Sequence, residues 1–227
     1  MNTDGRGNAG KTSRTYTSAV REAEAARTRE RIVSAAERLF VRDGYAATPL
    51  RAVAVEAGVS VQSVQLAGPK SSLLIAAFER AFAGDEGRHP LADRAEMREI
   101  LAEPEDAVAL TRYAAFIAAA NRRTGRLWRA MTAAADADAA VRAAVEDLDG
   151  RRRAELRAGG DWLVSRGLVA PERAAEATDV LGFLTQPDSY HYFVDDSGWS
   201  PARYETWLRT SIERMVLSSS RGETSIH

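Results

Sequence analysis

An all-α fold is predicted by three observations. Apolar residues recur three and four apart through most of the chain, no segment shows the two-residue alternation of a half-buried strand, and the interruptions fall at Gly, Pro and Asp. At 227 residues the chain can bury a sizeable core, and 45% apolar with 28% charged residues is ordinary for a globular protein. It contains no cysteine, which excludes disulfides and thiolate metal sites. No run of about eighteen apolar residues without charge suggests a membrane span. The polar stretch Met1 to Arg14 lacks the apolar segment of a secretory signal, so a cytoplasmic protein with no membrane partner is expected.

The formal net charge of −1 conceals an asymmetry: residues 1–82 carry 12 Lys+Arg against 8 Asp+Glu, whereas residues 83–227 carry 19 against 24. A positive front joined to a negative remainder suits a nucleic-acid-binding module attached to a part that avoids nucleic acid.

The elements follow in order. Residues 1–26 are rich in Gly, Asn, Thr and Ser and read as a flexible basic arm. Arg14, Tyr16 and Arg21, at its exit, could reach along a DNA backbone or into a minor groove; a leader with no role fits equally. From Arg27 the positions Ile32, Ala35, Ala36, Leu39 and Phe40 have helical spacing, and Asp43-Gly44 ends that run. Two short helices come next. Gly68-Pro69 then precedes a fourth helix with the stripe Leu73, Leu74, Ala77, Phe78, Ala81 and Phe82, completing a first domain over 27–83. Residues 83–92 read as a linker opening a second domain, 84–218, with helices over 93–102, 105–121, 125–135, 138–166, 171–184, 187–195 and 201–218. A polar tail, 219–227, closes the chain.

The two short helices carry the functional signal. Thr48 is suited to cap a helix N-terminus, Pro49 to occupy its first position, and Leu50, Val53, Ala54 and Ala57 to form its apolar face. Gly58 sits where a left-handed residue ends a helix, and Ser60 can cap the next. This is the layout of a helix-turn-helix, whose second helix enters the DNA major groove. There Val61 could touch a thymine methyl, Gln62 and Gln65 could pair with adenine, and Ser60 and Ser63 could bond base edges, while Val64 faces the core. Thr48 and Lys70 lie at helix starts, where an anion is favoured, and are assigned to phosphates.

These residues resemble the DNA-binding domain of TetR-type bacterial transcriptional regulators. The matching elements are Arg31-Ile32, Ala35-Ala36, Leu39-Phe40, Gly44-Tyr45, Thr48, Val53-Ala54, Ala57-Gly58-Val59-Ser60, and Lys70 with Leu73-Leu74. Gly198-Trp199-Ser200-Pro201 with Tyr204 and Trp207-Leu208 resembles one branch of that family. The resemblance implies an N-terminal three-helix DNA-binding domain with helix-turn-helix, followed by a C-terminal helical ligand-binding and dimerisation domain. It also implies a homodimer on a palindromic double-stranded DNA operator, acting as a repressor released by a small-molecule effector. One departure stands out: the family has an aromatic where Gln65 stands and a Phe shortly before the glycine. Here Gln65-Leu-Ala-Gly-Pro-Lys70 lacks both and is one residue shorter, which implies a loosened or re-angled second helix. The rival reading is a ligand-binding or protein-interaction module whose helix-turn-helix no longer engages an operator.

In the second domain Tyr113, Phe116, Trp128, Met131, Trp162 and Phe183 suit the wall of a mostly apolar cavity, with Asn121 as a polar contact; the same spacing also suits plain core. A neutral or weakly polar, partly apolar effector is expected. Leu181 and the stripe Leu208, Ile212, Met215 and Val216 suit pairing with a second copy, or packing within their own chain. Catalysis is not expected: His89, His191 and His227 are scattered, and Asp136/Asp138 and Asp195/Asp196 have no nucleophile or metal spacing around them. No cofactor is expected.

Overall fold

The computed structural model describes residues 10–83 and 91–217, with side chains over 20–82 and 91–217. Among these it contains ten α-helices and no strand. They group into two compact units, residues 1–74 and 75–227. Side chains of Arg14 and Tyr16, the linker around His89 and the tail with His227 lie outside the described residues.

The first unit opens with α1 (Gly10–Asp43), followed by α2 (Leu50–Ala57) and α3 (Val61–Ala67). Helix α1 begins well before Arg27, so the arm expected through residue 26 is helical from Gly10 onward. Its predicted stripe is correct: Ile32, Ala35, Ala36, Leu39 and Phe40 are buried, and meet Val53, Ala54 and Ala57 of α2 and Val64 of α3 in one core. At the end of α2, Gly58 is left-handed (φ 63°); its N–H donates to Val55 O and that of Val59 to Ala54 O, so the last carbonyls of α2 are satisfied within a tight turn. A side chain here would be strained in that conformation.

Helix α4 (Lys70–Ala83) carries the chain from the first unit into the second. The second unit continues with α5 (Ala95–Ala102), α6 (Asp106–Ala135), α7 (Ala139–Ser165), α8 (Ala174–Leu184), α9 (Pro187–Tyr190) and α10 (Pro201–Ile212), with short π-helical stretches at His191–Asp196 and Glu213–Leu217. Helix α6 packs against α5, α7, α9 and α10. It is one helix where two were predicted; Asn121 and Gly125 are buried inside it, and only 3.8 Å separates a Cβ position at Gly125 from Pro187 O. Caps at Asp138, which accepts from Ala140 and Val141 N–H, and at Ser200, which accepts from Arg203 N–H, start α7 and α10. Glycines set the spacing of α7 and α8: a Cβ on Gly160 would overlap Thr178 Oγ1, and one on Gly182 would sit 3.1 Å from Leu156 Cδ1.

The expected pairing stripe is placed differently. Leu181, Leu208, Ile212 and Val216 are buried in their own chain's core, together with Tyr204 and Leu184. Of that set only Met215 is exposed. Short-range periodicity identifies an apolar face, but which body covers it is a tertiary fact.

Candidate functional site

In the first unit the outward surface is built on α3. Ser60 Oγ accepts from the Ser63 N–H at 3.0 Å and lies 2.9 Å from Ser63 Oγ, so both hydroxyls serve the cap. Val64 anchors the helix in the core. The other end is closed from a distance: Arg29 on α1 donates from Nη1 to Ala67 O at 2.6 Å, placing a cation on the last carbonyls of the helix. With both ends held, α3 presents Val61, Gln62, Gln65 and Leu66 to solvent. Neither glutamine amide makes a hydrogen bond among the described residues, so both keep a donor and an acceptor available. Leu66, 82% exposed, is a residue that sequence reasoning missed.

Thr48 is a correction. It is 1% exposed, and its hydroxyl donates to Gly44 O at 2.8 Å; Pro49, not Thr48, is the N-cap residue of α2, and no side chain caps it. A buried donor fixed on a loop carbonyl has no path to a phosphate. Lys70 is half-buried, with Nζ 3.3 Å from Ala46 O and 4.3 Å from the Tyr45 ring centroid. It therefore ties the start of α4 to the α1–α2 loop. Tyr45 in turn meets Phe40, ring centroids 5.6 Å apart. An aromatic contact thus supports this unit even though Gln65 supplies none.

The second unit encloses a cavity of about 790 Å³. One stripe of α6 runs along it: Tyr113, Ile117, Asn121, Thr124 and Trp128 follow at steps of four, four, three and four. Trp162 also lines it, its indole N–H held by Leu101 O at 3.2 Å. Tyr113, Asn121, Trp128 and Trp162 are therefore brought together on the wall of one cavity. Phe116, Met131 and Phe183 are not: the first two are buried elsewhere in the core, and Phe183 is 67% exposed on the outer face of α8. Helical spacing names a face but not which of its residues border a void.

Three polar groups define the cavity's chemistry. Asn121, 4% exposed, donates from Nδ2 to Thr185 O (3.1 Å), Gln186 O (3.4 Å) and Tyr204 Oη (3.4 Å). Its Oδ1 receives no hydrogen bond among the described residues. Burial pushes the Tyr113 phenol up to about 12, with Arg152 opposing and Glu155 adding to the rise. Arg152 donates to Gly182 O (2.6 Å) and Thr185 Oγ1 (3.0 Å), and burial lowers its affinity for the proton. Charged wall residues were not foreseen. They come from α4, α6, α7 and α9 and from the residue before α5, and their convergence has no signature in local sequence.

Three carboxylates of the two pairs make local contacts, Asp196 among them with His191 Nε2 at 3.1 Å. Asp138 caps α7, while Asp195 meets His191 Nδ1 at 2.8 Å and Arg126 at 3.3 Å. Among the described residues no group of His, Cys, Asp or Glu is arranged to hold a metal, and no helix is long and apolar enough to cross a membrane.

Residues 32–64 match the family of bacterial regulatory proteins, tetR family. The chain matches no curated protein. Its fold is similar to that of a protein described as a TetR-family transcriptional regulator from Mesorhizobium loti MAFF303099, at TM-score 0.66 and 21% identity over 84% of this chain and 96% of that one. It is also similar to a transcriptional regulator from Saccharomonospora viridis in complex with choline, at TM-score 0.67 and 18% identity over 86% of this chain and 100% of that one. A third, described as a transcriptional regulator from Pseudomonas aeruginosa PAO1, gives TM-score 0.58 and 18% identity over 82% and 93%. At these identities the structural likeness shows the fold, and the matched segment takes in α2 and the first four residues of α3.

Proposed function

With the TetR-family transcriptional regulator fold as premise, we propose that this chain is a ligand-responsive DNA-binding regulator that represses from a palindromic operator as a homodimer. The observation that carries this is α3: a helix capped by Ser60, tied down by Arg29, and offering two unbonded glutamines beside two exposed aliphatic side chains. Gln62 and Gln65 supply bidentate pairing with adenine, and Val61 and Leu66 supply apolar contact for thymine methyls. Lys70 contributes positive charge for a neighbouring phosphate, which sets register without reading sequence. Thr48 has no part in this reading.

Two copies pair through the outer face of α8 and the π-helical stretch that follows α10, where Phe183 and Met215 are exposed; this replaces the buried leucines. Their recognition helices then read half-sites roughly 34–36 Å apart on one DNA face. A small, partly apolar effector occupies the cavity of the second unit, and a protein of the same fold held in complex with choline supports a small organic ligand. Effector that prefers a conformation with mismatched helix spacing weakens DNA binding by its differential affinity.

The test is fluorescence anisotropy with DNA fragments from upstream of the chain's own and neighbouring genes, across a salt series with random competitor. Tight, competitor-resistant binding to one fragment is expected. Weak binding equal for all sequences would sink the regulator reading and leave a ligand-binding module whose helix-turn-helix does not select an operator.

A further inference from the structure

The charges around the cavity do not cancel. Its wall carries the carboxylates of Glu79, Asp106, Asp149, Glu155 and Asp188 against the guanidiniums of Arg94, Arg151 and Arg152. Two of the acids are neutralised by direct ion pairs: Glu79 with Arg151 at 3.4 Å and Asp106 with Arg166 at 2.5 Å. That leaves Asp149, Glu155 and Asp188 around Arg152. Glu155 accepts only the Leu91 N–H (3.0 Å), Asp188 only the Trp128 indole N–H (3.3 Å), and no hydrogen bond reaches Asp149 among the described residues.

Arg152 is partly engaged, and acids surround it. Its Nη2 is spent on Gly182 O and Thr185 Oγ1 in the last turn and cap of α8, where free carbonyls already attract a cation, and it sits in the fields of Asp149, Glu155 and Asp188. The Arg94 guanidinium rests 5.3 Å from the Phe82 ring centroid. The oxygen of Asn121, midway along the α6 stripe, accepts no hydrogen bond among the described residues and so calls for a donor or a positive group.

Aromatic rings supply the second half of the pattern. Trp128 and Phe78 lie 5.9 Å apart and Phe78 and Phe82 6.4 Å apart, all three on the cavity wall. The indole N–H bond to Asp188 holds a carboxylate at the edge of that ring cluster. Ring faces are the negative poles of aromatic quadrupoles, and a cation over them gains both that term and the solvent-screened attraction of the exposed acid.

We propose that the corner formed by Phe78, Trp128 and Asp188 receives the head of an amphipathic organic cation, a substituted ammonium whose apolar body lies along α6 toward Tyr113 and Trp162. This rests on the reading of the cavity as the effector site, and it replaces the expected neutral effector with a positively charged one. Trp128 and Tyr113 stand fifteen positions apart on one helix, a span of roughly 22 Å at 1.5 Å per residue, so the cavity has length for a body beyond the head.

The test uses the full chain and three probes of equal chain length, hexyltrimethylammonium, 1-hexanol and hexanoate, titrated by calorimetry. The cation should bind at least about tenfold more tightly than either companion. Asp188→Asn should lower cation affinity by about tenfold while leaving that for hexanol unchanged; Trp128→Leu should lower cation affinity by more than it lowers that for hexanol, and Trp128→Phe, which keeps a ring, should lower it less. Equal or tighter binding of hexanoate or hexanol overturns the cation assignment and leaves the effector cavity standing. No binding by any probe at millimolar concentration overturns both. Circular dichroism of each variant separates a lost site from a lost fold.

Discussion

The outward face of α3 and the cavity of the second unit are made in opposite ways. On α3 the decisive contacts are local: Ser60 serves Ser63 three residues on, and Gly58 closes α2 through Val55 and Ala54. In the cavity they are remote. Asn121 reaches Thr185 across 64 positions, and Trp128 reaches Asp188 across 60. The first kind of site tolerates sequence-level reasoning because its geometry is written into one or two turns. The second exists only once α6, α7, α8 and α9 have packed. Arg29, which caps α3 from 38 positions away, is the exception that joins the two modes.

The largest expected effect tests where the C-terminal stripe belongs. Leu208→Ala removes a fully buried side chain and should cost about 2–5 kcal/mol in urea unfolding, whereas the exposed Phe183→Asp should leave stability within about 0.5 kcal/mol and shift the dimer toward monomer in analytical ultracentrifugation. A Leu208→Ala protein of unchanged stability that merely dissociates would return that residue to the interface. Next, Gln62→Ala should weaken operator binding by about 1–3 kcal/mol in anisotropy with the melting temperature unchanged, since its side chain is exposed and makes no hydrogen bond among the described residues. Equal loss on random DNA would mean that Gln62 only positions the protein.

Smaller effects separate local from remote support of α3. Ser60→Ala should lower stability by about 1 kcal/mol through the lost cap, and Arg29→Ala by about 0.3–1 kcal/mol through the lost charge on Ala67 O. Both should loosen DNA binding together; if Arg29→Ala leaves it intact, the helix is held by local contacts alone.

The smallest effect belongs to the cavity. Tyr113→Phe deletes a hydroxyl that makes no hydrogen bond among the described residues, so stability at pH 7 should change by less than about 0.5 kcal/mol. Its titration has a defined sign. Because burial raises the phenol to about 12, the folded state holds the proton more tightly than the unfolded chain does. That contribution is complete below the unfolded value near 10 and is lost as pH rises through about 12. Ultraviolet difference spectra of the wild type and Tyr113→Phe would show it; a phenol ionising near 10 would mean that water reaches the hydroxyl.

Legibility in the sequence followed the range of the interactions. The turn at Gly58, the cap at Ser60, the buried Val64 and the outward Gln62 and Gln65 could all be placed from spacing, because helix period and cap chemistry act over three or four residues. Thr48 failed by the same logic: a threonine before Pro-Leu has the pattern of a cap, but its hydroxyl turned back to Gly44 O once the α1–α2 loop closed. In the second unit Tyr113, Asn121, Trp128 and Trp162 were found as large or polar residues on apolar faces, while Phe116, Met131 and Phe183 had the same credentials and point elsewhere.

What the sequence by itself determined is therefore the all-helical architecture, the helix-turn-helix and the outward face of its second helix, since these depend on hydrogen bonds and apolar periods within single elements. Only the tertiary structure decided which apolar stripe is core rather than exposed face, which side chains border the cavity, and that acids outnumber bases on its wall. The physical reason is that burial and electrostatic balance are sums over neighbours from distant segments, and no single segment contains them.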